Sequence, residues 1–103
     1  MGMTEPILTL GQVVGGIEGF SDGGIIFVPD DTGDVSLSSP VKILDLDSTL
    51  AGVPGFRYFL EVELVKDVLQ VWSDWRDGQS PTLDESLAAI IYYAANDSYI
   101  PIA

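Results

Sequence analysis

Near the middle of the chain the hydrophobic period changes abruptly, and that change does most to fix what the chain can fold into. From Phe56 to Val62 the residues alternate, with Phe56, Tyr58, Leu60 and Val62 on one side and Arg57, Phe59 and Glu61 on the other. A period of two belongs to an extended strand, whose successive side chains point to opposite faces. Beyond it, Leu64, Val65, Val68, Leu69, Val71, Trp72 and Trp75 recur at helical spacing, and Lys66, Asp67, Gln70, Ser73, Asp74 and Asp77 occupy the other side. One backbone cannot serve both periods, so a strand must hand over to a helix here. The competing expectation is a single helix from Tyr58 to Asp77, which would remove that strand.

The flanking segments supply the rest. Thr9 to Glu18 reads as a short first helix, capped by Thr9, with Leu10, Val13, Val14 and Ile17 on one face and Gly19 at its end. Gly15 and Gly16 weaken it by about 1 kcal/mol each relative to alanine. Ser21-Asp22-Gly23-Gly24 is a turn into Ile25-Ile26-Phe27-Val28, a continuous apolar run that suggests a strand covered on both faces. Pro29 to Pro40 reads as an exposed acidic loop, Val41 to Leu46 as a second strand and Asp47 to Gly55 as a turn-rich linker. Thr82 and Glu85 have capping-box spacing, and Leu83, Leu87, Ile90, Ile91 and Ala94 form the expected core stripe of a last helix that Asn96 and Pro101 bring to a close. The expected order is α-β-β-β-α-α: an α+β domain, a three-stranded antiparallel meander with helices packed on it.

At 103 residues the chain fits one domain, and a chain of this size buries about two-thirds of its unfolded surface. Apolar residues make up 47% of it, too many for a disordered tail. With no cysteine, neither a disulfide framework nor a thiolate metal site is possible, and with no histidine the usual general base and zinc ligand are missing. No basic, apolar leader and no run of spanning length is present, so the expected compartment is the cytoplasm.

Charge narrows the function classes. Sixteen Asp and Glu face only Lys42, Arg57, Lys66 and Arg76, a net charge of −12. Such a field repels phosphate backbones and anionic lipid, which argues against direct nucleic-acid or membrane binding and favours a basic protein partner. The plainer reading is that the acids only keep the protein soluble.

Val41-Lys42-Ile43-Leu44-Asp45-Leu46-Asp47-Ser48-Thr49 resembles the first motif of haloacid dehalogenase-type phosphatases, an apolar strand ending in Asp-x-Asp-x-Thr. The resemblance implies Asp45 as nucleophile and Asp47 as general acid beside Mg²⁺, with Thr49 in the motif's threonine position. It also implies a wide parallel sheet, a later Ser or Thr, a lysine and a distal acidic pair. The remaining sequence departs from this: it is largely helical, has no later apolar strand ending in paired aspartates, and places Lys66 on a helix's polar face. The alternative is that Asp45 and Asp47 close a strand as turn residues.

Asp30, Asp31 and Asp34 surround Gly33, but they lack the alternating carboxylates and final glutamate of an EF-hand, so no dedicated metal site and no cofactor are expected. Serine and threonine have no histidine partner, and Glu61 and Glu63 read as solvated edge charges, so no catalytic residues are assigned. Trp72 and Trp75 fall on the apolar side of their helix. Tyr93, about 100° from Tyr92, falls toward the boundary. With Trp75, Asp74, Asp77 and Asp84 it forms a candidate aromatic–acidic patch suited to Arg and Lys.

Arg57 to Val62, Val71 to Gly78 and Pro81 to Glu85 resemble a family of small uncharacterised bacterial proteins. In general character the chain is similar to bacterial immunity and antitoxin-type inhibitors: short, acidic, and free of Cys and His. That similarity implies a non-enzymatic inhibitor masking a basic partner such as a nuclease toxin, with contacts at Asp30, Asp31 and Asp34 or around Asp74 and Asp77. The alternative is a structural, adaptor or phage accessory protein acting by shape or homodimerisation. The sequence leaves the oligomeric state open.

Overall fold

The computed structural model describes residues 8–31, 33–45 and 54–100. Its elements are β1 (Leu8–Thr9), α1 (Leu10–Gly15), a 3-10 turn (Ile17–Gly19), β2 (Gly24–Pro29), β3 (Pro40–Asp45), β4 (Phe56–Glu61), α2 (Val62–Asp74) and α3 (Leu83–Asn96). The class is α+β, and every described strand pairing is antiparallel. Among the described residues the sheet has four strands rather than three, in the order β1-β3-β2-β4.

Two features of the expected meander are therefore corrected. Leu8 and Thr9 add a short edge strand, pairing with Val41 and Pro40. More consequentially, β2 is the inner strand flanked by β3 and β4, whereas a meander would leave it at an edge. The physical reason lies in its sequence. Gly24 through Val28 are all buried, and a strand without a polar face is stable only where neighbours cover it on both sides.

The handover from strand to helix falls at Glu61–Val62, so the single long helix does not form. β4 nevertheless departs from simple alternation. Ile26 pairs with Leu60 and Phe27 with Tyr58, so Phe59 is an extra residue at a β-bulge. The bulge re-aims Phe59 into the core beside Leu60 and leaves Tyr58 50% exposed, which reverses their expected sides.

α1 starts from a capping box: the Gln12 N–H donates to Thr9 Oγ1 at 3.2 Å, and the Thr9 N–H donates to Gln12 Oε1 at 2.9 Å. It stops at Gly15, short of the expected Glu18, and Gly16 passes the chain to the 3-10 turn. Two adjacent glycines raise the entropic cost of continuing the helix. α3 has the expected box, Glu85 N–H to Thr82 Oγ1 at 3.1 Å and Thr82 N–H to Glu85 Oε1 at 2.9 Å.

All three helices bury side chains in one core with Ile26 and Val28: Leu10, Val13 and Val14 from α1; Val62, Val65, Val68 and Trp72 from α2; Ala89 and Ile90 from α3. The buried stripe of α3 runs through Ser86, Ala89 and Ile90, with Leu87 and Tyr93 partly buried. Leu83 and Ala94, expected in that stripe, are exposed. Lys66 ties the turn before β2 to α2, its Nζ donating to the Phe20 carbonyl at 2.9 Å and to Asp22 at 2.6 Å. No described helix is long and apolar enough to cross a membrane.

Candidate functional site: an aromatic–acidic face

The site begins where α3 ends. Asp97 adopts the left-handed conformation (φ 55°), and its N–H caps the helix by donating to the Tyr93 carbonyl at 2.7 Å. This reversal turns the chain back, so Tyr99 lies against two rings. Its centroid is 5.3 Å from Tyr93 and 6.0 Å from Trp75, the latter edge to face at 77°. Both geometries fall in the favourable range for aromatic pairs. Trp72 is buried in the core, whereas Trp75, one residue beyond α2, remains 46% exposed.

Carboxylates act on one of these rings, Tyr93. Loss of solvation raises the Tyr93 phenol above its ordinary pKa, and the nearby charges of Asp97, Asp67 and Glu61, with Tyr99, raise it further. Tyr58 is also raised, first by burial and then by the Glu61 carboxylate, with Tyr93 a smaller contributor. Tyr58, Glu61, Asp67, Tyr93 and Asp97 thus share one local field, assembled from β4, α2 and the end of α3.

Several basic side chains are committed elsewhere. Lys66 is held by Asp22 and Phe20. The Arg76 guanidinium lies 4.3 Å over the Trp72 ring and donates to the Trp72 carbonyl at 3.1 Å. Lys42 lies 4.8 Å over the Phe56 ring. Arg57 reaches the Gly33 carbonyl at 3.5 Å.

Of the residues singled out from sequence, Trp75 and Tyr93 are brought into one cluster through Tyr99. Asp74 is exposed at the end of α2, accepting from Gln70 Nε2 at 2.9 Å, and Asp77 follows in a left-handed turn (φ 58°). Asp84 is in the first turn of α3, about 13 Å along the helix axis from Tyr93. It complements the positive end of the helix dipole there. Asp30, Asp31 and Asp34 are exposed beyond β2, at the start of β4: the Asp30 N–H donates to the Gly55 carbonyl at 2.9 Å. Sequence reasoning did not place Tyr99, Asp97, Asp67 or Glu61 on this face. An aromatic two residues past a helix-ending Asp was the available signal for Tyr99, since residues past a left-handed cap often pack back on the last turn.

Asp45 ends β3, paired with Gly24. Asp47 and Thr49 lie outside the described residues. The antiparallel described sheet differs from the wide parallel sheet that the phosphatase resemblance implies. Among the described residues no group of three or more acidic side chains gathers as a metal site.

A small acidic α+β domain with its helices packed on an antiparallel sheet and a half-exposed ring cluster with carboxylates acting on Tyr93 is the class these observations define. Residues 7–102 match the family described as Domain of unknown function (DUF7716), and the chain belongs to that family. No curated protein and no solved structure matches it.

Proposed function

We propose that this chain is a non-enzymatic protein-binding module that docks a basic partner, acting as an inhibitor or immunity protein that masks a basic active-site surface such as that of a nuclease toxin. The observation that carries this reading is the Trp75–Tyr99–Tyr93 cluster, whose Tyr93 phenol is under the influence of the Asp97, Asp67 and Glu61 carboxylates. Ring faces attract guanidinium and ammonium groups, and the carboxylates add charge pairing. Aromatic anchors within a polar rim are also the usual composition of an energetic hot spot. The net charge of −12 supplies the longer-range attraction that speeds encounter with a basic surface.

The test is capture of partners from the native host, identification by mass spectrometry, and stopped-flow association of the purified pair over a salt series. A basic partner is expected, with an association rate that falls steeply as salt rises. Trp75→Ala should weaken binding at least about tenfold, chiefly by faster dissociation. A neutral or acidic partner, or an association rate indifferent to salt, would sink the reading.

A further inference from the structure

The two tryptophans of the chain stand three residues apart at the end of α2, and their rings end in different surroundings. Trp72 is buried, and the Arg76 guanidinium lies 4.3 Å over its ring while donating to the Trp72 carbonyl at 3.1 Å. One side chain thus covers an indole and spends an edge N–H on an oxygen acceptor at the same time. Trp75 has no such cover. Its N–H donates to the Val71 carbonyl at 3.0 Å, which holds its backbone in the last helical turn, and its ring meets Tyr99 edge to face. The ring is therefore held in place yet half-exposed, and among the described residues no cation lies over it. Asp74 immediately precedes it and Asp77 follows two residues on, both exposed.

We infer that Trp75 receives an arginine, rather than a lysine, of the basic partner, stacked on the indole with its edge N–H groups turned to the Asp74 and Asp77 carboxylates. The inference rests on the basic-partner reading above and names the ring and the side chain it takes. Indole is the strongest of the aromatic rings toward cations. A guanidinium is planar, weakly hydrated and carries five N–H donors around its rim, so it can stack and pair with a carboxylate together. An ammonium is a compact, strongly hydrated point charge, which gives up water to sit over a ring and has no flat face to lay on it. Arg76 on Trp72 is the same arrangement closed within the chain. An apolar side chain would cover the Trp75 ring but gain nothing from the acids on either side of it. A second copy of this chain is a poor occupant, because each copy carries −12, Arg76 already lies on Trp72, and Lys66 is held by Asp22. With Tyr99 holding the ring beforehand, little freedom is lost when the arginine arrives.

The probes are the blocked tripeptides acetyl-Gly-Arg-Gly-amide and acetyl-Gly-Lys-Gly-amide, equal in charge, titrated at low salt into the ¹⁵N-labelled full chain. Two tryptophans give two indole N–H signals, assigned with Trp75→Phe, and Trp72 serves as the internal control. The expected result is a saturable shift of the Trp75 indole by the arginine peptide, at least about threefold tighter than by the lysine peptide, with the Trp72 signal unmoved. Trp75→Leu should abolish the accompanying amide shifts from Asp74 to Asp77. Asp74→Asn with Asp77→Asn, at exposed positions that leave the rings in place, should weaken the arginine peptide at least about threefold and narrow its advantage. Equal affinity for the two peptides overturns the inference, as does an arginine response confined to Trp72 or absent from both indoles, or a dimer in sedimentation that Trp75→Leu abolishes. The basic-partner reading is decided separately, by the salt series with the captured partner. A basic partner whose salt-dependent association is unchanged when its arginines are converted singly to lysine leaves that reading standing and overturns this inference.

Discussion

Two aspartates hold backbone conformations that side chains seldom adopt. Asp77 and Asp97 have φ values of 58° and 55°, each just past a helix. A left-handed residue with a Cβ costs about 1 kcal/mol relative to glycine, with Asp and Asn the least penalised. Each aspartate also puts negative charge near the negative end of a helix dipole, and neither α2 nor α3 has a basic residue in its last turn. Asp97→Gly should therefore stabilise the fold by about 1 kcal/mol in denaturant unfolding, and it should lower the raised Tyr93 phenol, whose neighbours include the Asp97 carboxylate. That phenol gives stability a pH dependence of known sign. The folded chain holds the Tyr93 proton more tightly than the unfolded chain, so this contribution is complete below the unfolded phenol pKa of about 10 and is lost as pH rises through the folded value. Unfolding midpoints measured on the alkaline side should fall, and in Tyr93→Phe they should fall less. A glycine supplies the opposite case. A Cβ at Gly24 would lie 2.9 Å from Ile43 Cγ2 and 3.2 Å from Val62 Cγ2, inside the contact between the sheet and α2. Gly24→Ala should cost about 1–3 kcal/mol, whereas Gly19→Ala, with nothing within 4 Å, lacks any such clash.

At the scale of elements, the strength of a local signal decided what could be read in advance. The strand-to-helix handover, the Thr82 capping box and the apolar run at β2 are written in periods and spacings, and each appears in the structure. The order of strands is not written locally, yet β2 contained the clue: a segment apolar on both faces does not belong at the edge of a meander. The bulge at Phe59 was illegible because one inserted residue reverses the sides of its neighbours without altering the composition. The aromatic–acidic face was half legible. Trp75 and Tyr93 stood out as aromatics beside acids, but their junction through Tyr99 depends on the left-handed turn at Asp97. The capping box also predicts a magnitude: Thr82→Ala should destabilise the fold by about 1 kcal/mol, because the Glu85 N–H loses its acceptor in the first turn of α3. Urea unfolding would measure it, and an unchanged midpoint would show that the cap contributes nothing.

For the whole molecule, the excess of acid acts on folding and on binding with opposite signs, which separates a solubilising surface from a functional one. Sixteen carboxylates against four cations leave −12 on a small body, and compaction brings those charges closer together. Loss of solvation, with Asp97, Asp67 and Glu61 adding to it, raises the Tyr93 phenol, so some of this negative charge acts beside the half-exposed rings. Salt screens it within a Debye length of about 10 Å at 0.1 M. The thermal midpoint should therefore rise as sodium chloride goes from about 0.02 to 0.3 M, a range over which the Debye length shrinks severalfold. If the charge served solubility alone, neutralising any two exposed acids would raise the midpoint without affecting association. If the aromatic–acidic face is the docking surface, Asp67→Asn with Asp97→Asn should raise the midpoint and also slow association with the captured partner, flattening its salt dependence. Asp84→Asn with Glu18→Gln, an equal change of charge placed elsewhere, should leave association nearly intact, while loss of the Asp84 charge from the first turn of α3 costs some stability. Equal loss from the two double variants would show that only net charge matters, and the face would then have no special role.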